Sequence, residues 1–186
     1  LLGLVSCGDA SSNASENVKP KLKEYSLDEV TIPNDTMAFF KKDMKPVTGV
    51  VRDRYEDGQL KFEYNYKEGK SDGIDKHWYK NGQLWYEESF KNGKRDGLFK
   101  DWYKNGQLAV EKNYKDGKED GLGRGWHENG QLQGEWKYKD GKIDGLGRGW
   151  HENGQLRSEC NWKDGELISD KYWDEDGNEV DDLGGC

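Results

Sequence analysis

The sequence predicts an all-β chain, an elongated single-layer antiparallel meander of tandem 24-residue β-hairpin repeats. Three observations predict it. Gly-Gln-Leu recurs at Gly58, Gly82, Gly106, Gly130 and Gly154, always at the same step. Two further glycine series keep that step, Gly49, Gly73, Gly97, Gly121, Gly145 and Gly69, Gly93, Gly117, Gly141, Gly165. Between the glycines lie short aromatic-rich runs with no helical periodicity, the pattern of strands joined by tight turns.

Composition sets the thickness of the fold. A mean hydropathy of -1.19 and 35% charged residues taken alone resemble a disordered chain. Eight Trp, ten Tyr and five Phe say otherwise, because each large ring buries about 150–250 Å². Aliphatic residues are too few for a two-layered core, so a thin structure with rings along its length is expected. The net charge of -8 argues against nucleic acid as the main partner, which needs a cationic face.

Each repeat contains an Asx-Gly corner, namely Asn81-Gly82, Asn105-Gly106, Asn129-Gly130 and Asn153-Gly154, with Asp57-Gly58 and Asp176-Gly177 equivalent. These predict two-residue type I′ turns, in which both central residues take positive φ. With such a turn at Asn81-Gly82, Tyr79 faces Leu84, Trp78 faces Trp85 and Lys76 faces Glu87. The same register pairs Arg52 with Glu63, Lys100 with Glu111, Arg124 with Glu135, Arg148 with Glu159 and Lys171 with Asp182. A base opposite an acid in every hairpin specifies alignment, since a slipped register loses all the pairs. Alternation sends the row Trp78, Trp102, Trp126, Trp150 to the face of this charged ladder. Tyr55, Tyr79, Tyr103, His127 and His151 fall on the other. The second connection, such as residues 91–97, is longer.

The unit Tyr103-Lys104-Asn105-Gly106-Gln107-Leu108, followed by Tyr114-Lys115-Asp116-Gly117-Lys118-Glu119-Asp120-Gly121-Leu122, resembles the MORN-repeat family in its bacterial variant form. The resemblance spans residues 49–177. It implies successive hairpins in one elongated sheet and a role in protein interaction. Bacterial proteins of this kind are often labelled antitoxins of toxin–antitoxin pairs, and neutralisation of a toxin is an alternative reading.

The domain organisation follows. Leu4-Val5-Ser6-Cys7 resembles the lipobox of bacterial lipoproteins, which implies a residual signal peptide over residues 1–7 and lipid on Cys7. The polar residues 8–24 read as a flexible tether. Residues 25–48 read as an N-terminal cap or degenerate repeat, with Met37-Ala38-Phe39-Phe40 and Lys45-Pro46-Val47-Thr48 as its strands. Residues 49–183 hold five repeats and a partial sixth, and 184–186 form a tail. A membrane-anchored place in the bacterial cell envelope follows from the anchor.

No catalytic constellation, cofactor motif or metal site is expected. His127 and His151 lie two strands apart, about 9–10 Å, too far for one zinc ion without both leaning inward; stacking is their expected role. An EF-hand alignment on Gly177 puts Tyr172 and Leu183 at ligand positions, which rules it out. The Glu row has a base between neighbours, so no two carboxylates are expected to share a pocket. Cys160 faces Gly147 and reads as a buried or half-buried thiol, with a disulfide to Cys186 as the alternative. Gly123 and Gly125, opposite Trp136 and Gly134, read first as a ring covering bare backbone. The alternative is a shallow groove beside His127. The candidate binding surface is therefore Trp78, Trp102, Trp126, Trp150, His127, His151 and Trp136. The expected function is a non-catalytic, lipid-anchored scaffold for protein–protein interaction, with a flat glycan on the aromatic rows as a further alternative.

Overall fold

The structure, a computed structural model, describes residues 22–34 and 36–181. Cys7, Cys186 and Asp182, and with them the expectations for the anchor, the tail and the Lys171–Asp182 pair, lie outside the described residues. The described part is all strand and turn, in one sheet.

The N-terminal segment forms β1 (Glu24–Ser26), β2 (Val30–Asn34) and β3 (Met37–Phe40). The first repeat pairs β4 (Gly49–Arg54) with β5 (Leu60–Lys67). The second joins β6 (Lys70–Ser71) and β7 (Gly73–Trp78) to β8 (Leu84–Lys91), and the third β9 (Lys94–Trp102) to β10 (Leu108–Lys115). The fourth joins β11 (Lys118–Glu119) and β12 (Gly121–Trp126) to β13 (Leu132–Lys139). The fifth joins β14 (Lys142–Ile143) and β15 (Gly145–Trp150) to β16 (Leu156–Lys163), and β17 (Glu166–Trp173) with β18 (Glu179–Val180) follows. Every repeat strand pairs antiparallel with its neighbours. β1 runs parallel along β4 and covers that edge. Phe40 N–H donates to Lys45 O and Val47 N–H to Ala38 O, closing a hairpin that β2 extends.

Among the described residues, the compact apolar cluster sits at this end, made of Val30, Ala38, Val47, Val51, Phe62 and Tyr66. Beyond it the sheet is thin, and two other devices hold the repeats in line. The first is the charged ladder. Arg52 faces Glu63, Lys76 Glu87, Lys100 Glu111, Arg124 Glu135 and Arg148 Glu159. The row continues across the repeats, with Glu63 opposite Lys76 and Glu135 opposite Arg148. Ion-pair distances run from 2.6 Å at Arg52–Glu63 to 3.6 Å at Lys76–Glu87 and Arg124–Glu135. The side chains are half-exposed, so each pair stabilises by about 0.2–1 kcal/mol. Lys171 pairs with Glu179 at 3.7 Å.

The turns differ from expectation, and the difference is systematic. At the Asn81-Gly82 corner only Gly82 has positive φ, 84°. Gly82 N–H donates to Tyr79 O and Tyr79 N–H to Gln83 O. This is a three-residue loop, a type I turn followed by a left-handed glycine. Asn81 stays right-handed because its Oδ1 then accepts the Gln83 N–H at 3.1 Å. The longer loop slips the register by one, so Trp78 faces Leu84 and not Trp85. A bulge at Trp85 slips it back, so His77 faces Tyr86 and Lys76 faces Glu87. The ladder register survives because the two irregularities cancel. The two-residue turns with paired positive φ lie in the second connection, at Asn92-Gly93 (51° and 78°) and its equivalents.

The second device stitches repeat to repeat at both edges. At one edge the Tyr55 hydroxyl donates to Trp78 O at 2.7 Å, Tyr79 to Trp102 O and Tyr103 to Trp126 O. His127 and His151 continue the row, their Nε2 atoms 3.1 and 2.8 Å from Trp150 O and Trp173 O. Hydrogen bonding to the next repeat, not stacking, is thus what the histidines do. Asn81, Asn105, Asn129 and Asn153 donate from Nδ2 to the carbonyls of Lys104, Glu128, Glu152 and Glu175. At the other edge Gly93, Gly117, Gly141 and Gly165 donate N–H to Ser71, Arg95, Glu119 and Ile143. Asp72, Asp96, Asp120 and Asp144 each accept the N–H of the residue opening the next tight turn.

Replacing Asn105 by Asp keeps the acceptor for Gln107 N–H, at 2.9 Å in the native chain, and removes the donor to Glu128 O. Asn105→Asp should lower the unfolding free energy by about 0.5–1.5 kcal/mol in urea titrations. An unchanged midpoint would mean the inter-repeat bond contributes nothing.

Candidate functional site

Comparing the repeats with one another separates two faces. On the ladder face the residues hardly change: Lys or Arg, Glu, the Trp row, and Ile74, Leu98, Leu122 and Leu146. Trp78, Trp102, Trp126 and Trp150 are half-buried there, and their own carbonyls receive the Tyr and His stitches. On the opposite face every position changes. Val51, Asp75, Phe99, Gly123 and Gly147 share one place in the repeat, and Tyr64, Glu88, Lys112, Trp136 and Cys160 share another.

Trp136 fills the space that the glycines around it leave. A Cβ on Gly134 would come within 2.3 Å of the Trp136 ring, and one on Gly147 within 2.7 Å. The ring therefore leans over Gly134 and Gly147. Gly123, its partner across the ladder, is met by Tyr138 instead, at 3.0 Å. Rings thus cover this glycine backbone, Tyr138 over Gly123 and Trp136 over Gly134 and Gly147. Cys160 is 2% exposed and disulfide-bonded, not a free thiol. The chain's other two cysteines lie outside the described residues.

The open groove lies two repeats earlier, across β7, β8 and β9, with a volume of about 700 Å³. The cross-strand row Asp75–Glu88–Phe99 and the pair Tyr86–Asp101 line it, with His77 beyond Tyr86 in the second row. The bulged Trp85 joins them, stacked on Tyr79 at 5.6 Å and edge-on to Tyr86 at 5.3 Å. His77 stacks on Tyr86 at 4.3 Å, and its Nε2 lies 2.8 Å from the Tyr64 hydroxyl. These contacts set the rings as a fixed floor, with Trp85 left 41% exposed at the rim.

The carboxylates in this groove are unlike those of the ladder. Asp75 is 3% exposed and its Oδ1 accepts the Asn65 N–H at 2.7 Å. Burial raises its pKa to about 7, against the lowering effect of that bond, with the charges of Glu88 and Glu63 adding to the rise. Glu88, also buried, is paired with Arg95, whose guanidinium lies 5.3 Å from the Tyr114 ring centre. Burial likewise raises Asp101. Two carboxylates, Asp75 and Glu88, therefore do share a pocket. The sequence reading overlooked them by weighing only the repeated Glu row, although the register that pairs Lys76 with Glu87 pairs Asp75 with Glu88 at the next step.

A folded-state pKa above the unfolded value means the native chain holds this proton more tightly. The resulting stability is full below about pH 4 and lost as pH rises towards 7. Asp75→Asn, which keeps the acceptor for Asn65, should abolish this loss. Urea unfolding should find the variant more stable than the parent at pH 8, by on the order of 3 kcal/mol, with the gap closing at acid pH. A gap independent of pH would contradict the buried, proton-binding carboxyl.

No curated protein matches the chain. The family model described as MORN repeat variant matches residues 47–68, 71–92, 95–116, 119–140 and 143–164, consecutive matches starting 24 residues apart. The matched segments include the Asx-Gly corners and the ladder, each ending at the first residue of a tight turn, and together they cover more than half of the sequence, so the chain belongs to the MORN repeat variant family of repeat scaffolds.

Proposed function

We propose that this chain is a non-catalytic scaffold that binds another protein along the face on which its repeats differ, held at the bacterial envelope by lipid on Cys7. One observation carries the binding face. The residues that recur are occupied in building the array, by stitching edges, forming turns or pairing in the ladder. The residues that vary gather on the other face, where their identity is free to answer to a partner. In a repeat array each unit contacts only its neighbours, which is why such division by face is available.

Large aromatic rings buried in a groove dominate protein interfaces; Tyr86 and Phe99 line this one, and Trp85 stands at its rim. The envelope reading draws on the lipobox-like Leu4-Val5-Ser6-Cys7. The Cys160 disulfide supports it, because such bonds persist in oxidising compartments.

Co-purification from membranes tests both parts. Trp85→Ala with Phe99→Ala should reduce capture of the partner about tenfold or more, while Leu122→Ser on the ladder face leaves capture intact. Cys7→Ser should release the chain from the membrane fraction. Capture indifferent to the aromatic pair, or lost with Leu122→Ser, would place binding elsewhere.

A further inference from the structure

We propose that the groove across β7, β8 and β9 seats an arginine side chain of the partner protein. This rests on the reading of the variable face as the binding face, and names what that face selects. Asp75 accepts a single hydrogen bond, at Oδ1. Among the described residues its second oxygen has no donor, and neither Asp75 nor Asp101 takes part in an ion pair. Asp75 nevertheless sits at 3% exposure on the groove floor. Asp101 lies one strand further from Asp75 than Glu88, in the adjoining row. Tyr86 is the cross-strand partner of Asp101, Phe99 stands at the end of the Asp75 row, and their rings are 6.2 Å apart.

A planar guanidinium suits this arrangement. It stacks on ring faces and offers several N–H donors to carboxylates at once. Desolvated carboxylates exclude an anionic occupant, a neutral one leaves Asp75 holding its proton, and a cation supplies the counter-charge that its ionised form lacks.

The next positions of the same face show the complete unit. Arg95 pairs with Glu88 over the Tyr114 ring. Lys112, which stands where Glu88 does one repeat earlier, pairs with Glu119 at 2.7 Å beside the Tyr138 ring. At these places the chain supplies acid, ring and cation itself. At Asp75 and Asp101 it supplies acid and ring, and the cation is left to the partner.

The test uses the full chain and a blocked tetrapeptide, acetyl-Gly-Arg-Tyr-Gly-amide, with its neutral citrulline counterpart, followed by NMR titration. The arginine peptide should bind at least about tenfold tighter than the citrulline peptide, with shifts concentrated at Trp85, Tyr86 and Phe99. Asp75→Asn with Asp101→Asn should abolish that preference. Glu56→Gln with Asp57→Asn, an equal change of charge on an exposed turn, should preserve it. Asp101→Asn alone, in a residue only half-buried, should reduce it severalfold and guards against misfolding of the double variant.

Equal binding of the two peptides, absence of shifts in the groove, or an equal loss in the exposed-turn control would overturn the proposal. So would a natural partner that depends on Trp85 and Phe99 but ignores the double substitution, an outcome that leaves the scaffold reading standing.

Discussion

The structure depends on hydrogen bonds that cross from one repeat to the next at both edges of the sheet. A hairpin alone is marginal in water, and among the described residues the buried apolar cluster is confined to the N-terminal end. The turn glycine N–H and the Asp carboxylate at one edge, and the Tyr or His donor and the Asn amide at the other, find their partners in a neighbouring unit. The spacing of the repeat follows from this constraint. A unit of another length would carry these donors past their carbonyls, and the alternating Lys or Arg and Glu would fall out of step.

The same constraint explains which substitutions the repeats tolerate. Tyr103 and His127 occupy one place because each presents a donor at the same reach to a Trp carbonyl. Gly82, like Gly106, Gly130 and Gly154, serves twice. Its left-handed φ closes the loop, and a Cβ there would come within 3.0 Å of the Gln59 side chain lying over the corner. With the ladder face and both edges committed in this way, variation is confined to the remaining face. It runs from acid and ring around Asp75 and Phe99 to bare glycine under Trp136.

Much of this was legible in the sequence, for a physical reason. A 24-residue period, Asx-Gly corners and opposed charges are separate signals, and all demand one antiparallel array. The turn type was not legible, because Asn-Gly serves both a type I′ turn and a type I turn with a left-handed glycine. The bulge at Trp85 was hidden for the same reason. It compensates the longer loop, so the charge pairs agree with either geometry while the Trp78–Trp85 contact does not. The lean of Trp136 over Gly134 is a rotamer choice among glycines on several sides, and pattern alone does not decide it. Asp75 and Glu88 were within reach, one step from the Lys76–Glu87 pair. They are found by asking where a repeat departs from its fellows, not where it agrees.

The most direct measurement removes one whole unit. Residues 121–132 and 145–156 are identical, so deleting residues 121–144 joins Asp120 to a glycine in unchanged surroundings. If neighbour-to-neighbour stitching holds the array, the shortened chain remains a cooperative β-structure by circular dichroism and urea titration, with a denaturant slope reduced in proportion to the surface removed. A shortened chain that is unfolded, or predominantly helical, would contradict it.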